Sequence, residues 1–467
     1  MNLEVFKDWL TAHTNYSKAT ISNTVSRVKR ADKMLPWFND KVYQFRLEQE
    51  ETYQQLSCSV RSQIKKAVKL YFEYIEKTSK EPTLNEEQKN GGKVLSLFSN
   101  IGVAEAYFES IGVDVVVANE LVERRAKLYS NIYPDTHMIC GDITQQKVFD
   151  EIVEESLNNN VDIVMATPPC QGMSTVGRQV ENDERNKLIC PVVDVIKKIK
   201  PRYVFLENVP LFLSTSIEIG GKKTLISNYL KNELEANYKI NMYIIDTKDY
   251  SIPQTRERAI ILMTRIGNEN KEWILPEKDS KIVTMYDAIG HLPTMDPFVK
   301  DVSEDELLEM FPHFYERKEV AEKISNWHTP PHHIKRQVVA MQHTPTGCTA
   351  FDNLVYYPIK EDGSAVKGFR NTYKRQNWNT AAYTVTMDNR KISSQNNVHP
   401  GRLEYETKAG ENIYSDARTL TLYELMTIMS LPEDWSVPEN TSEAFLRRVI
   451  GEGIPPLFVK KVFENIN

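Results

Sequence analysis

The spacing of apolar residues changes character near residue 93. Before it, Leu3, Phe6 and Leu10, then Ile21, Val25 and Val28, recur every three or four positions, as on one face of an amphipathic helix. Residues 60–75 repeat the pattern with Ile64, Val68, Tyr71 and Ile75. Ser17 or Thr20 is placed to cap the second helix. A polar stretch over 78–92, containing Pro82 and ending in Gly91-Gly92, reads as a linker. From Lys93 onward the chain carries short unbroken apolar runs at 94–98, 113–118, 137–139, 161–166, 203–206, 242–245 and 259–263. Such runs predict strands buried on both faces. Helical segments separate most of them, the first at 103–111, so the pattern predicts an α/β fold with a doubly wound, mostly parallel sheet. After residue 267 the chain is rich in His, Pro, Asn and Tyr and reads as irregular, with helix returning at 421–429 and near the C-terminus.

Composition narrows the class. The chain has 467 residues, 41% hydrophobic and 26% charged, which is ordinary for a globular protein of two or three domains. No apolar run approaches the roughly 20 residues that span a bilayer. The first ten residues are amphipathic and acidic, unlike a signal peptide. Five cysteines (Cys58, Cys140, Cys170, Cys190, Cys348) lie far apart with no Cys-x-x-Cys pair. This argues against zinc and a disulfide framework, and suits a reducing cytoplasm. No histidine–carboxylate arrangement suggests a metal. The net charge is −6, yet residues 1–80 hold 14 Lys and Arg against 9 Asp and Glu. A basic front end with Arg61, Lys65, Lys66 and Lys69 fits phosphate contact about as well as simple solvation. This segment resembles the helical DNA-binding domain at the front of tyrosine recombinases.

The chemistry concentrates at strand ends, where open α/β sheets bind ligands. Pro168-Pro169-Cys170-Gln171-Gly172 follows the run 161–166, and the paired prolines stiffen the backbone before a thiol. Cys170 is therefore a candidate nucleophile, although a free cysteine is most often a small buried apolar residue. The turn after the first strand (Phe98, Ser99, Asn100, Gly102) leads toward a helix and offers backbone N–H groups to an anion. Glu120 ends the second strand, where it can accept hydrogen bonds from a ribose diol. Asp142 ends the third, within reach of an adenine amino group. Together they favour an adenosine cofactor, and the absent glycine fingerprint argues against NAD. Glu207 closes a buried strand, where desolvation would favour the neutral acid, a proton donor. Gln254, Arg256 and Arg258 alternate, so an extended segment puts them on one face. Two guanidiniums there could lower a thiol pKa and clamp a planar substrate.

Taken in order, these motifs resemble the cytosine-carbon-5 DNA methyltransferase family of bacterial restriction–modification systems. The match runs over about 93–467: 98–102, Glu120, Asp142, 168–172, 207–209, 254–258, Arg418-Thr419-Leu420-Thr421 with Glu424, and 451–456. The resemblance implies a class I S-adenosylmethionine-dependent fold, S-adenosyl-L-methionine as cofactor and duplex DNA as substrate. It assigns Cys170 to attack carbon 6 of a flipped-out cytosine, Glu207 to ring nitrogen 3, and Arg256 and Arg258 to hold the base. It places the cofactor against Phe98, Ser99, Asn100, Gly102, Glu120, Leu121, Asp142, Ile143 and Pro168. A catalytic loop would cover 171–186, with Gly172 and Gly177 as hinges. The division implied is a helical domain at 1–80, a linker at 81–92, a catalytic and cofactor-binding domain at 93–267, a target-recognition region at 268–400, and a returning segment at 401–467. Gln171, Ser174, Arg336, Arg370 and Arg375 are candidate DNA contacts. The family pattern also implies a monomer, a nearby cognate restriction endonuclease and no membrane. Two other readings stay open: a tRNA cytosine-5 methyltransferase, and a DNA-binding regulator acting through the front end. The chain departs from the pattern at Asn100, where more glycine is usual, and at Glu452 and Gly453, where Asn and a small residue are usual.

Overall fold

The structure is a computed structural model that describes residues 3–14, 16–37, 43–79, 92–169, 184–267, 270–353, 362, 364, 371–392, 396–435, 437–438 and 440–466. The chain forms two compact units, 1–88 and 89–467.

The first unit is helical: Leu3–His13, Lys18–Met34, Tyr43–Gln49, Glu51–Gln54 and Cys58–Ser79. Ser17 is the cap of the second helix, its hydroxyl accepting from the Thr20 amide at 3.2 Å. The core gathers Phe6, Trp9, Leu10, Ile21, Val28, Tyr71 and Tyr74, with Phe6 edge-on to Tyr71 at 4.8 Å. Lys29, Arg30, Lys33, Lys66 and Lys69 remain exposed.

The second unit is built on nine strands that matter here: β1 (Lys93–Leu97), β2 (Asp114–Glu120), β3 (His137–Cys140), β4 (Ile163–Ala166), β5 (Tyr203–Asn208), a hairpin of β6 (Ser216–Ile219) and β7 (Lys222–Leu225), β8 (Tyr238–Asp246) and β9 (Glu257–Arg265). Seven of them form one sheet in the order β3-β2-β1-β4-β5-β9-β8. The first five run parallel, and β9 lies antiparallel to both β5 and β8. The order reverses between β1 and β4, whose ends therefore flank the crevice where such sheets bind ligands.

Alternation along each strand builds two cores. Leu95, Leu97, Val164, Ala166, Val204 and Leu206 face the helices Gln146–Asn158, Ile189–Ile199 and Ile226–Leu234. Val94, Ile163, Met165, Tyr203 and Phe205 face Trp273 and the last helix, Pro456–Glu464, through Phe458, Val459, Val462 and Phe463. The long unbroken apolar runs follow from this double burial.

Two sequence expectations are corrected. Residues 103–111 are not regular α-helix but turns closed by i→i+3 bonds, such as Phe108 to Glu105 at 2.8 Å, ending in a 3₁₀ turn at Glu109–Ile111. Residues 101–105 are all buried, which a helix with one packed face cannot provide. The region after 267 is also less irregular than expected, with helices at Glu304–Met310, Phe314–Glu322 and Lys335–Gln342. Ser303 caps the first, and Glu304, Asp305 and Glu306 fill its opening turn.

Candidate active site

Beyond β1 the backbone takes a turn in which Phe98, Asn100 and Gly102 all have positive φ, at 58°, 54° and 81°. A phenylalanine in that region is strained, and such strain gathers at ligand sites. Asparagine bears positive φ better than most residues, so Asn100 fills a position where glycine was expected. A side chain at Gly102 would collide with the Tyr133 ring, and the Tyr133 hydroxyl donates to the Gly102 carbonyl at 2.6 Å. Glu120, at the end of β2, is buried and accepts from the Asn100 amide at 3.0 Å and the Val122 amide at 2.8 Å. Burial pushes its pKa up, Glu452 adds to the rise, and the two amides and Arg125 oppose it.

The register pairs Glu120 with Cys140, so Asp142 emerges at the adjacent strand end. Its carboxylate accepts from the Thr144 amide and hydroxyl at 2.9 and 2.8 Å. Leu121, beside Glu120, is 62% exposed, an uncovered apolar side chain next to a buried acid. Ile143 is buried, and Pro168 lies just past β4. A carboxylate for a diol, a leucine for a ring face and an aspartate for an exocyclic amine fit an adenosine-bearing ligand.

The second cluster lies at the end of β5. Tyr203, Phe205 and Glu207 share one face of that strand, and Glu207 pairs with Ile260 of β9. Arg258, two residues from Ile260, is the diagonal neighbour of Glu207 on the same face. Its Nε lies 2.6 Å from Glu207 Oε1, with both side chains nearly enclosed. The acid is thus paired with a guanidinium rather than left alone at the strand end. Asn208 has a role the sequence reading did not assign: its Nδ2 donates to the Pro168 carbonyl at 2.9 Å and its Oδ1 accepts from the Val209 amide. The end of β5 therefore fixes the backbone two residues before Cys170. Cys170, Gln171 and Ser174 lie outside the described residues.

Arg256 does not share this cluster. The segment before β9 is extended only as an isolated bridge of Gln254 to Ala382. Gln254 is fully buried, and its Oε1 accepts from the Val385 amide at 2.9 Å. Arg256 is buried beside it, with Nη1 donating to the Val385 carbonyl at 2.8 Å and Nη2 to the Gly451 carbonyl at 3.0 Å. Its guanidinium brackets two distant segments, whereas Arg258 faces the acid.

A model of the C-5 cytosine-specific DNA methylase family matches residues 92–467, the whole of this sheet and its attachments. The chain belongs to that family. The methylase is 41% identical over 377 residues to the Type II methyltransferase M1.HgaI of Avibacterium volantium, covering 80% of this chain and 97% of that protein. It is 24% identical to the Type II methyltransferase M1.HphI of Haemophilus parahaemolyticus, over 80% and 86% of the two chains. Its backbone is similar to the crystal structure of a protein described as a DNA modification methyltransferase of an E. coli prophage. That match has a TM-score of 0.55 at 19% identity and covers 80% of this chain and 98% of the other. The likeness shows the class I methyltransferase fold.

In the methylase the segment returning to the sheet is pinned by a buried charge network. Arg418 donates to Glu424 Oε2 and Asp416 Oδ1 at 2.8 Å each, and Glu424 also closes a capping box with Thr421. Burial works against the Glu424 carboxylate, but Arg418 and the surrounding donors hold its pKa well below the usual range. Arg375 belongs to the same interior, which corrects its place among the candidate DNA contacts. It is fully buried, with donors spent on the carbonyls of Met341, His399 and Asp416 at 2.7 to 3.2 Å. Burial lowers its pKa to about 10. Arg336, by contrast, is exposed on the helix Lys335–Gln342, while Arg370 lies outside the described residues. Among the described residues no group of three or more His, Cys, Asp or Glu could hold a metal ion, and no helix is long and apolar enough to cross a membrane.

Proposed function

We propose that the methylase transfers a methyl group to carbon 5 of a cytosine flipped out of duplex DNA, through a covalent adduct with Cys170. The Glu207–Arg258 pair carries this reading, held at 2.6 Å on the strand that also grips the Pro168 carbonyl. Cytosine carbon 5 is a poor nucleophile. Addition of the Cys170 thiolate to carbon 6 forms a sulfur–carbon bond and pushes the ring electrons toward carbon 5. Glu207 passes a proton to ring nitrogen 3 as the thiolate adds, and Arg258 stabilises the carboxylate left behind. S-adenosylmethionine, when bound, supplies an electrophilic methyl group to the activated carbon. A water molecule then takes the carbon 5 proton as the sulfur–carbon bond breaks and Cys170 leaves as thiolate, and ring nitrogen 3 returns its proton to Glu207. Carbon 6 is stacked in the duplex, so the base must leave the helix.

The cofactor would be held by the turn of Phe98, Ser99, Asn100 and Gly102, with Glu120 on the ribose, Leu121 and Ile143 on the adenine faces, Asp142 on its amine and Pro168 nearby. Arg256 acts as a positioning residue behind the base. Gln171, Ser174, Arg336 and Arg370 are the DNA contacts of this reading, within a recognition region at 268–400. Residues 1–80, with their exposed lysines, add phosphate contacts, so their deletion raises KM for DNA. The names of M1.HgaI and M1.HphI support a Type II role, with protection of a short site from a cognate endonuclease.

Bisulfite sequencing of DNA from cells expressing the wild type and Cys170→Ala tests the proposal. Protected cytosines in one short context, lost in the variant, are expected. Unprotected DNA with methylated tRNA would transfer the same chemistry to an RNA substrate and overturn the DNA reading.

A further inference from the structure

Two of the three departures from the family pattern, Asn100 and Glu452, occupy one closed circuit. Asn100 donates its backbone amide to Glu120 at 3.0 Å and its side-chain Nδ2 to the Val449 carbonyl at 3.1 Å. Val449 lies in the last turn of the helix Glu443–Glu452. At the end of that helix Glu452 pairs with Arg125 at 2.8 Å, both side chains about four-fifths enclosed, and with the more exposed Arg448 at 3.4 Å. Arg125 sits in the helix Glu123–Ile132, which begins three residues after Glu120. The path therefore runs from Glu120 through Asn100, Val449, Glu452 and Arg125 back to the segment that bears Glu120. Residues more than 300 positions apart close around one buried carboxylate.

The same helix end faces the base side. The Gly451 carbonyl accepts from Arg256, and so does the Glu452 carbonyl, at 3.5 Å. Gly451 has no room for a side chain, because a Cβ would fall inside the contact distance of the Thr386 carbonyl. Glu452 thus presents its backbone to Arg256 and its carboxylate to Arg125. A lone acid at this point would crowd Glu120 with like charge, and Arg125 counters that charge for both.

We propose that Asn100, Arg125 and Glu452 are positioning residues that clasp the end of helix Glu443–Glu452 to the cofactor pocket and so couple cofactor binding to the Arg256 bracket. The proposal rests on the reading of Glu120 as the ribose acid. The clasp holds the pocket rim in place without touching the methyl group or the base. Its loss therefore acts on cofactor affinity before it acts on turnover. A mostly enclosed pair also resists screening by salt better than an exposed one.

The test is calorimetric titration of the full-length protein with S-adenosylhomocysteine in the absence of DNA, alongside steady-state kinetics. Glu452→Gln and Asn100→Gly, the latter suited to positive φ, are each expected to weaken binding five- to twentyfold. The kcat of Glu452→Gln at saturating cofactor should stay within about threefold. The charge-exchanged double variant Arg125→Glu with Glu452→Arg should recover most of the affinity lost in either single variant. It also serves if Glu452→Gln folds poorly. Binding within twofold of wild type in both Glu452→Gln and Asn100→Gly overturns the clasp, as does a double variant no better than its parents. Glu120→Ala separates the two levels. If it alone loses affinity, the ribose reading stands and the clasp falls; if it too binds normally, the ribose reading itself fails.

Discussion

Arg258 Nε lies 2.6 Å from Glu207 Oε1, across two antiparallel strands whose register makes the residues diagonal neighbours. The pair ties the proton donor of the proposed reaction to a fixed charge. Glu207→Gln is expected to lower kcat by about 10²–10⁴, the usual share of a general acid. Arg258→Lys should lose much of the same factor, because an ammonium cannot reproduce a planar guanidinium contact. Methyl transfer measured at saturating DNA and cofactor checks both, with thermal unfolding showing that the fold survives.

Asn208→Ala removes the donor that holds the Pro168 carbonyl. An unpaired buried carbonyl costs about 1–3 kcal/mol. The larger effect should fall on kcat, since Cys170 follows two residues later. A variant that loses stability but keeps its turnover would show that Asn208 does not align the cysteine.

Arg336 and Arg375 should separate cleanly. Arg336→Ala is expected to leave the melting temperature unchanged and to flatten the salt dependence of DNA binding by about one phosphate contact. Arg375→Ala removes the donor to the His399 carbonyl and one of the donors to each of the Met341 and Asp416 carbonyls, so it should lower the melting temperature before any effect on DNA is visible.

His328, His333 and His399 are buried, and burial lowers each pKa to about 4. The native protein keeps them neutral while the unfolded chain takes up protons near pH 6.5. Stability is therefore full above about pH 6.5 and falls as the pH drops toward 4. Urea titrations between pH 7 and pH 4.5 should show this decline, and His333→Gln should reduce its slope.

Glu105 behaves in the opposite sense. It is buried, accepts from the Ser96 hydroxyl at 2.6 Å, and burial raises its pKa to about 7. Its raised value means stability is greatest below the ordinary carboxylate range and is lost as pH rises through about 7. Glu105→Gln keeps an acceptor for Ser96 without the charge. It should raise the melting temperature at pH 8 and change it little at pH 5.

Much of this architecture was legible because the central strands β1, β4, β5 and β9 are buried on both faces. The runs leading to Glu120, Pro168 and Glu207 could be read from apolar length alone. Alternation along the strand also placed Arg258 on a defined face. Alternation also set Arg256 beside Gln254, 3.5 Å from its Oε1, but not the carbonyls of Val385 and Gly451 that its guanidinium reaches. Those partners come from distant segments, and no local pattern announces them. Arg375 misled for the same reason: a basic residue in a polar region looks like a contact until three carbonyls enclose it. Residues 103–111 carried helical spacing, but 103–105 are buried on every side. The short helix Glu304–Met310 did leave a signal, Ser303 followed by three acids, that its brevity obscured.

The last helix, Pro456–Glu464, packs Phe458, Val459, Val462 and Phe463 beneath β1, β4 and β5, and Trp273 Nε1 donates to the Val462 carbonyl at 2.9 Å. The floor under the first turn of the pocket is thus supplied hundreds of residues after the turn itself. At a synthesis rate of about 5–20 residues per second, roughly 20 to 70 seconds separate the two on the ribosome. Over that interval the nascent chain has no finished core behind its cofactor strand. A product terminated before Pro456 would lack that floor.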